Sequence, residues 1–145
     1  EYHNLEKKLK VENLIKDVII LSSIGEFEKK YLLKNAIISI LPSTNALEAF
    51  GLVQVESMAM GTPVICFDIP NSGVGSVNIN MHSGIIIKQG KDNTKLLVSA
   101  ISKLLDDEIL LENMRKNSLK RSKDFLINSH ISAFEEFFKK TISSL

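Results

Sequence analysis

The stretch PSTNALEAFGLVQVESMAMGTPVI, Pro42 to Ile65, holds a proline stop, a loop, an apolar helix and the start of a strand. It follows the apolar run AIISIL (36–41) and leads into PVICF (63–67), so the local order is strand, loop, helix, strand. The helix is expected over about 52–60, with Gly61 as its C-terminal cap and Pro63 just beyond. AIISILP is apolar at nearly every position and does not alternate, which predicts a strand covered on both faces, as in a parallel sheet packed between helices. Two glutamates, Glu48 in the loop and Glu56 on the helix, stand out in this apolar company.

Outward from that unit, helix and strand alternate. Leu5, Leu9, Leu14 and Ile15 sit among charges in a helical pattern over 1–16. DVIIL (17–21) reads as a strand and EFEKKYLLKN (26–35) as a helix. Residues 68–80, rich in Asn, Ser and Gly, form a long loop with one short strand expected in its second half. GIIIK (84–88) is a further strand, and Asp92 or Asn93 caps an amphipathic helix built on Leu96, Leu97, Ala100, Ile101, Leu104 and Leu105. Helices over about 108–123 and 128–143 close the chain, the last with an apolar face of Ile131, Phe134, Phe137 and Phe138. The fold class is therefore α/β: a Rossmann-like, doubly wound parallel sheet between helices, in one domain over 1–145.

Composition narrows the function. With 145 residues and 44% hydrophobic content the chain can bury a sizeable core. Eighteen basic against seventeen acidic residues leave a net charge of +1, so no global field argues for nucleic acid. The single cysteine, Cys66, forms no internal disulfide, fits a reducing compartment and is expected to pack as a small hydrophobe. No apolar run approaches the roughly 18 residues that span a bilayer. EYHNLEKKLK has neither an initiator Met nor a signal-peptide pattern, and the sequence reads as a fragment.

In open parallel sheets ligands bind beyond the carboxyl ends of the strands, where loops enter helix N-termini. The 42–51 loop is such a place. The amides of Gly51, Leu52 and Val53 are orphan donors at the positive end of the helix dipole, which suits a phosphate. Gly51 removes a side chain where a ligand would approach. Glu56, in the second turn, leans toward the N-terminus. Two acceptor-only carboxylates flanking a phosphate nest suit hydroxyl groups on either side of it. A nucleotide sugar has that pattern.

At these residues the sequence resembles the retaining glycosyltransferases of the GT-B fold, family four, whose signature is Glu-x7-Glu, a small-residue helix and Gly-x-Pro-Val. VIILSSIGEFEKKYLLKNAIISILPS and HSGIIIKQGKDNTKLLVSAISKLLDD are similar to the segments before and after that signature, so the resemblance covers nearly the whole chain. NSGVGSVN is closest to members that transfer mannose or related hexoses in bacterial surface-polysaccharide assembly. The resemblance implies the donor-binding, C-terminal half of a GT-B enzyme using a nucleoside-diphosphate sugar such as a GDP- or UDP-hexose. It places Glu48 on the transferred hexose with the amides of Phe50 and Gly51 beside it, Leu52 and Val53 on the distal phosphate, Glu56 on the ribose hydroxyls, and Ser23 and Ile24 near the base. Transfer would proceed with retention and without a protein nucleophile, to a saccharide or lipid-linked acceptor, in the cytoplasm or at the inner face of the membrane.

The family's donor domain opens with a strand carrying an Arg and a nearby Lys, preceded by an acceptor-binding domain with a site histidine. Neither lies within residues 1–145, so this segment alone is expected to be inactive, and His3, His82 and His130 take no such role. Members also often have an acidic residue where this chain has Gly75 to Asn78. Gly73-Val74-Gly75 has Asn78 at the third glycine position and no clear helix after it, which makes it a weak dinucleotide-loop signal, and Gly90-Lys91 lacks the spacing of a P-loop, which is rejected. Arg115, Lys116, Lys120, Arg121 and Lys123 read as a solvated helix face, with a membrane surface as the alternative. No His/Cys/Asp cluster has metal-ligand spacing, so no cofactor or tightly held metal is expected. Two rival readings are a GT-B-like epimerase or phosphorylase, and a non-catalytic, degenerate transferase module.

Overall fold

In the computed structural model three parallel strands, β1 (Ser39–Leu41), β2 (Val64–Asp68) and β3 (Gly84–Lys88), form one sheet in that order. The structure describes residues 2–127 together with 131, 139 and 142. The helices are α1 (Tyr2–Val11), α2 (Glu26–Asn35), α3 (Leu52–Ala59), α4 (Val74–Val77), α5 (Asn93–Leu105) and α6 (Glu108–Ser122), followed by a 3-10 turn at Lys123–Phe125. Ser39 lies opposite Val64, Leu41 opposite Cys66, and Asp68 opposite Lys88, so all three strands end on one edge.

The core forms around β2. Val64, Ile65 and Cys66 are fully buried and Phe67 nearly so, and because successive strand residues face opposite sides, both faces of the sheet are covered. Met58 of α3, Leu104 of α5 and Met114 of α6 complete that core. This is the expected Rossmann-like α/β layer. Helix ends follow local chemistry. After α1, the Asn13 amide bonds the Lys10 carbonyl and the Leu14 amide the Leu9 carbonyl, with Asn13 at φ 57°. After α3, Gly61 and Thr62 make the same pair of bonds to Met58 and Ser57, with Gly61 at φ 78°. Both are Schellman stops, so Gly61 caps α3 as expected and Asn13 ends α1 several residues before Lys16. Asp92, not Asn93, caps α5 by accepting the Lys95 amide.

Several expectations fail, each for a nameable reason. DVIIL (17–21) is not a strand, since a strand exists by pairing and this run has no hydrogen-bonded neighbour among the described residues. Val18, Ile19 and Leu21 are exposed. AIISILP contributes only Ser39–Leu41 and is not covered on both faces; among the described residues β1 is bonded on one side alone, with Ile37 and Ile40 exposed, and the fully covered strand is β2. The second half of 68–80 holds α4 instead of a short strand, so a helix does follow Gly73, although of only four residues. The basic cluster is not simply solvated. Arg115 reaches the carbonyls of Ala36 and Ile37, and Arg121 those of Val77 and Ser76, pairs with Asp124 and lies 4.8 Å from the Phe125 ring centre. The expected helix over 128–143 lies outside the described residues apart from isolated positions.

Candidate functional site

The sheet edge where the strands end is built around the start of α3. β1 stops at Leu41, and the following loop turns back on itself at Asn45, which accepts the Leu47 amide. Glu48 then reaches forward: its Oε1 accepts the Gly51 amide at 3.0 Å. Gly51 has φ 76° and ψ 59°, a left-handed conformation that L side chains adopt at a cost. A Cβ there would also fall 2.7 Å from Leu41 Cδ2 and 3.0 Å from Gln54 Nε2. The Gln54 amide bonds the Gly51 carbonyl at 2.8 Å. The amides of Leu52 and Val53 are left, among the described residues, without an acceptor, at the positive end of the helix. Leu52 is exposed and Val53 half-buried, so this end of α3 is open to a ligand. Phe50 packs edge-on against Phe125, ring centres 5.9 Å apart, which anchors the loop to the segment after α6.

A second loop, after β2, is fastened to the first. The Gly73 amide donates to the Ala49 carbonyl at 2.7 Å, and the Ser72 hydroxyl donates to the Glu48 carbonyl. From α3, Gln54 Nε2 donates to the Val74 carbonyl at 3.1 Å. Gln54 is fully buried, and its Oε1 has no partner among the described residues. Gln89, just past β3, donates to the carbonyls of Thr44 and Asp68, tying the ends of all three strands together. Sequence reasoning missed Ser72, Gln54 and Gln89. A glutamine inside the apolar helix LVQVESMA was a readable signal; the partners of Ser72 and Gln89 lie too far along the chain to be read.

Glu56 lies apart from this turn, on the side of α3 that meets α2. Its Oε1 accepts from Lys29 Nζ at 2.9 Å, and Lys29 also pairs with Glu26 at 2.8 Å. The hydrogen bonds that Lys29 donates to Glu26 and Glu56 hold its ammonium above its ordinary pKa, and Lys29 in turn lowers that of Glu26. These three side chains line a groove of about 160 Å³ with Lys30, Leu33 and Met60. Lys29 was not singled out from sequence. Ser23 and Ile24 lie exposed before α2, where Ile24 borders an apolar depression with Leu21, Phe27 and Tyr31. Thus Glu48, Phe50, Gly51, Leu52 and Val53 form one turn, Glu56 lies further along the same helix, and Ser23 and Ile24 precede the helix that holds Glu56.

Beyond β2 and β3 opens a polar cleft of about 600 Å³, lined by Asp68, Ser72, Ser76, Asn80, Ile86 and Lys88. His82 is exposed and contacts Asn117. Cys66 is buried in the sheet, its thiol pushed up to about 11 chiefly by burial. Among the described residues no three His, Cys, Asp or Glu side chains are grouped to hold a metal ion, and no helix is long and apolar enough to cross a membrane.

The family model described as "Glycosyl transferases group 1" matches residues 1–121, a span that includes the whole α3 turn and the groove beside it. The chain belongs to the group 1 glycosyltransferases. Among the curated relatives of this group 1 chain, an exopolysaccharide phosphotransferase of Streptomyces coelicolor is 31% identical over 108 residues, covering 74% of this chain and 11% of that protein. The capsular polysaccharide biosynthesis glycosyltransferase CapM of Staphylococcus aureus is 34% identical over 74 residues, covering 51% of this chain and 18% of CapM. Among solved structures, the sucrose-phosphate synthase of Thermosynechococcus elongatus superposes with a TM-score of 0.77 at 23% identity, over 99% of this chain and 35% of that one. Anabaena HepE, solved with UDP and glucose, superposes with a TM-score of 0.71 at 19% identity, over 99% of this chain and 36% of HepE. At such identities the likeness concerns the fold, and it is the expected one, half of a GT-B architecture. This group 1 chain spans about a third of those structures and less than a quarter of its curated relatives.

Proposed function

We propose that the protein is a retaining hexosyltransferase and that these residues form its donor-binding half, taking a nucleoside-diphosphate hexose. The observation that carries this reading is the Glu48–Gly51 turn: it leaves the amides of Leu52 and Val53, at a helix N-terminus, without an acceptor among the described residues, with a carboxylate fixed beside them. Amides at that dipole end suit the distal phosphate, held by Leu52 and Val53. Glu48, oriented by the Gly51 amide and flanked by Phe50, accepts from hexose hydroxyls. Glu56, further along α3, accepts from the ribose, and Ser23 and Ile24 border the base.

Membership of the group 1 family supports the transferase class, and the HepE structure with UDP and glucose supports a donor of this chemistry. In the reaction the bond from the anomeric carbon to the diphosphate oxygen breaks, and a bond to the acceptor oxygen forms on the same face. The acceptor proton passes to the departing diphosphate, so no protein nucleophile or metal is needed. The acceptor, a saccharide or lipid-linked saccharide, is bound by other parts of the protein, which works in the cytoplasm, with the inner membrane face as the site of a lipid-linked acceptor. Calorimetric titration of the full-length protein with UDP, GDP and their hexoses tests the reading. Saturable binding of one nucleotide class is expected, and no heat at millimolar ligand overturns it.

A further inference from the structure

The ion pair between α2 and α3 has features that a chance surface contact lacks. Lys29 Nζ lies within 2.8–2.9 Å of carboxylate oxygens from both helices, and its side chain is only 27% exposed, against 74% for Glu26. Glu26, one turn earlier on α2, steadies the ammonium so that it can grip Glu56. Only Oε1 of Glu56 is engaged; Oε2 has no protein partner among the described residues. α2 has no fully buried residue, so its docking does not rest on deep packing at this point. Partly exposed ion pairs add little to stability. Selection for the fold alone therefore explains the pair poorly.

We propose that Lys29 is a positioning residue for Glu56, fixing its carboxylate so that the free oxygen meets the ligand's sugar hydroxyls, and that it thereby sets the preference for a ribose over a 2′-deoxyribose nucleoside diphosphate. The proposal rests on the reading of Glu56 as the ribose acceptor. Two physical effects carry it. A glutamate side chain has several free torsions, and a group already held before binding loses less freedom when the ligand arrives. In addition, a bare carboxylate on the helix whose N-terminus would hold a diphosphate repels that ligand, and an ammonium at 2.9 Å, although shared with Glu26, lessens that repulsion. Glu56 then accepts hydroxyls at a smaller penalty to the phosphates.

The test measures affinity of the full-length protein for UDP and GDP, and for their 2′-deoxy counterparts, in wild type, Lys29→Met, Lys29→Gln and Lys29→Arg, with melting temperatures alongside. Wild type should favour the ribose form by about tenfold, the scale of one hydrogen bond to a charged acceptor. Lys29→Met and Lys29→Gln should reduce that ratio to about twofold or less with melting temperatures close to wild type, and Lys29→Arg should restore it. An undiminished ribose preference in Lys29→Met or Lys29→Gln overturns this inference while leaving the donor-site reading intact. Wild-type binding with no ribose preference overturns the roles of both Glu56 and Lys29. No nucleotide binding at all overturns the donor-site reading itself, and this inference with it.

Discussion

Glu48 and Gly51 close a turn in which the side chain of one accepts the backbone amide of the other at 3.0 Å, with the glycine at φ 76°. The turn joins β1 to α3 and is held from the far side by the Ser72–Val74 segment, which bonds the carbonyls of Glu48 and Ala49 and accepts from Gln54. A carboxylate and a helix N-terminus are thus fixed relative to one another before any ligand arrives, the arrangement that preorganised binding requires.

Gly51→Ala meets two obstacles, a positive φ and a Cβ 2.7 Å from Leu41 Cδ2. Together they should cost about 2–3 kcal/mol of stability, read by urea unfolding. Nucleotide affinity should fall in the same variant, because the α3 amides move with the turn. An unfolding midpoint equal to wild type would show that the turn relaxes freely.

Glu48 and Glu56 should separate kinetically. Glu56→Ala is expected to weaken nucleoside-diphosphate binding, by about tenfold for one lost charged hydrogen bond. Glu48→Ala in the full-length enzyme is expected mainly to lower kcat, since the hexose and not the nucleotide loses its contact. Equal losses of nucleotide affinity in both would contradict this division.

Gln54 offers a contrast between two substitutions. Gln54→Ala removes the bond to the Val74 carbonyl and opens a cavity at a fully buried site, so about 3 kcal/mol of destabilisation is expected. Gln54→Met fills the space and removes the orphan Oε1, which offsets part of the lost bond; about 1 kcal/mol is expected. Thermal melts of the two side by side give the ordering, and a reversal would mean that Oε1 has a partner in solution.

Cys66 should resist thiol reagents at pH 8 in the native protein and react on unfolding, because burial holds its pKa near 11 against an ordinary 9.0. The native state keeps the proton more tightly than the unfolded chain. The corresponding stability is fully present below pH 9.0 and falls as pH rises toward 11, by about 3 kcal/mol. Cys66→Ser or Cys66→Ala should remove that alkaline slope.

What could be read in advance was local. The span of α3, the Gly61 stop and the start of α5 at Asp92 or Asn93 all depend on residues within a few positions of one another, and the structure places each near its expected bounds. DVIIL failed as a strand for the opposite reason: its propensity is local, but pairing is not. Helical spacing predicts a solvent-facing Arg115 and Arg121 and says nothing about the carbonyls of residues 36, 37, 76 and 77 that they reach across the fold.

The sequence by itself determined the fold class, the family and the position of the loop that enters α3, because hydrophobic period, glycine conformation and helix ends are properties of short segments; that the Gly51 amide is taken by Glu48, and is not the free donor expected, appeared only in the structure. Only the tertiary structure decided how the second glutamate is held, which loops are fastened together and where the sheet stops. Lys29 reaches Glu56 across 27 residues, Gln54 reaches Val74 across 20, and Gln89 reaches Thr44 across 45. Contacts of that span exist only once the chain has packed around β2, since packing alone brings such distant groups within bonding distance.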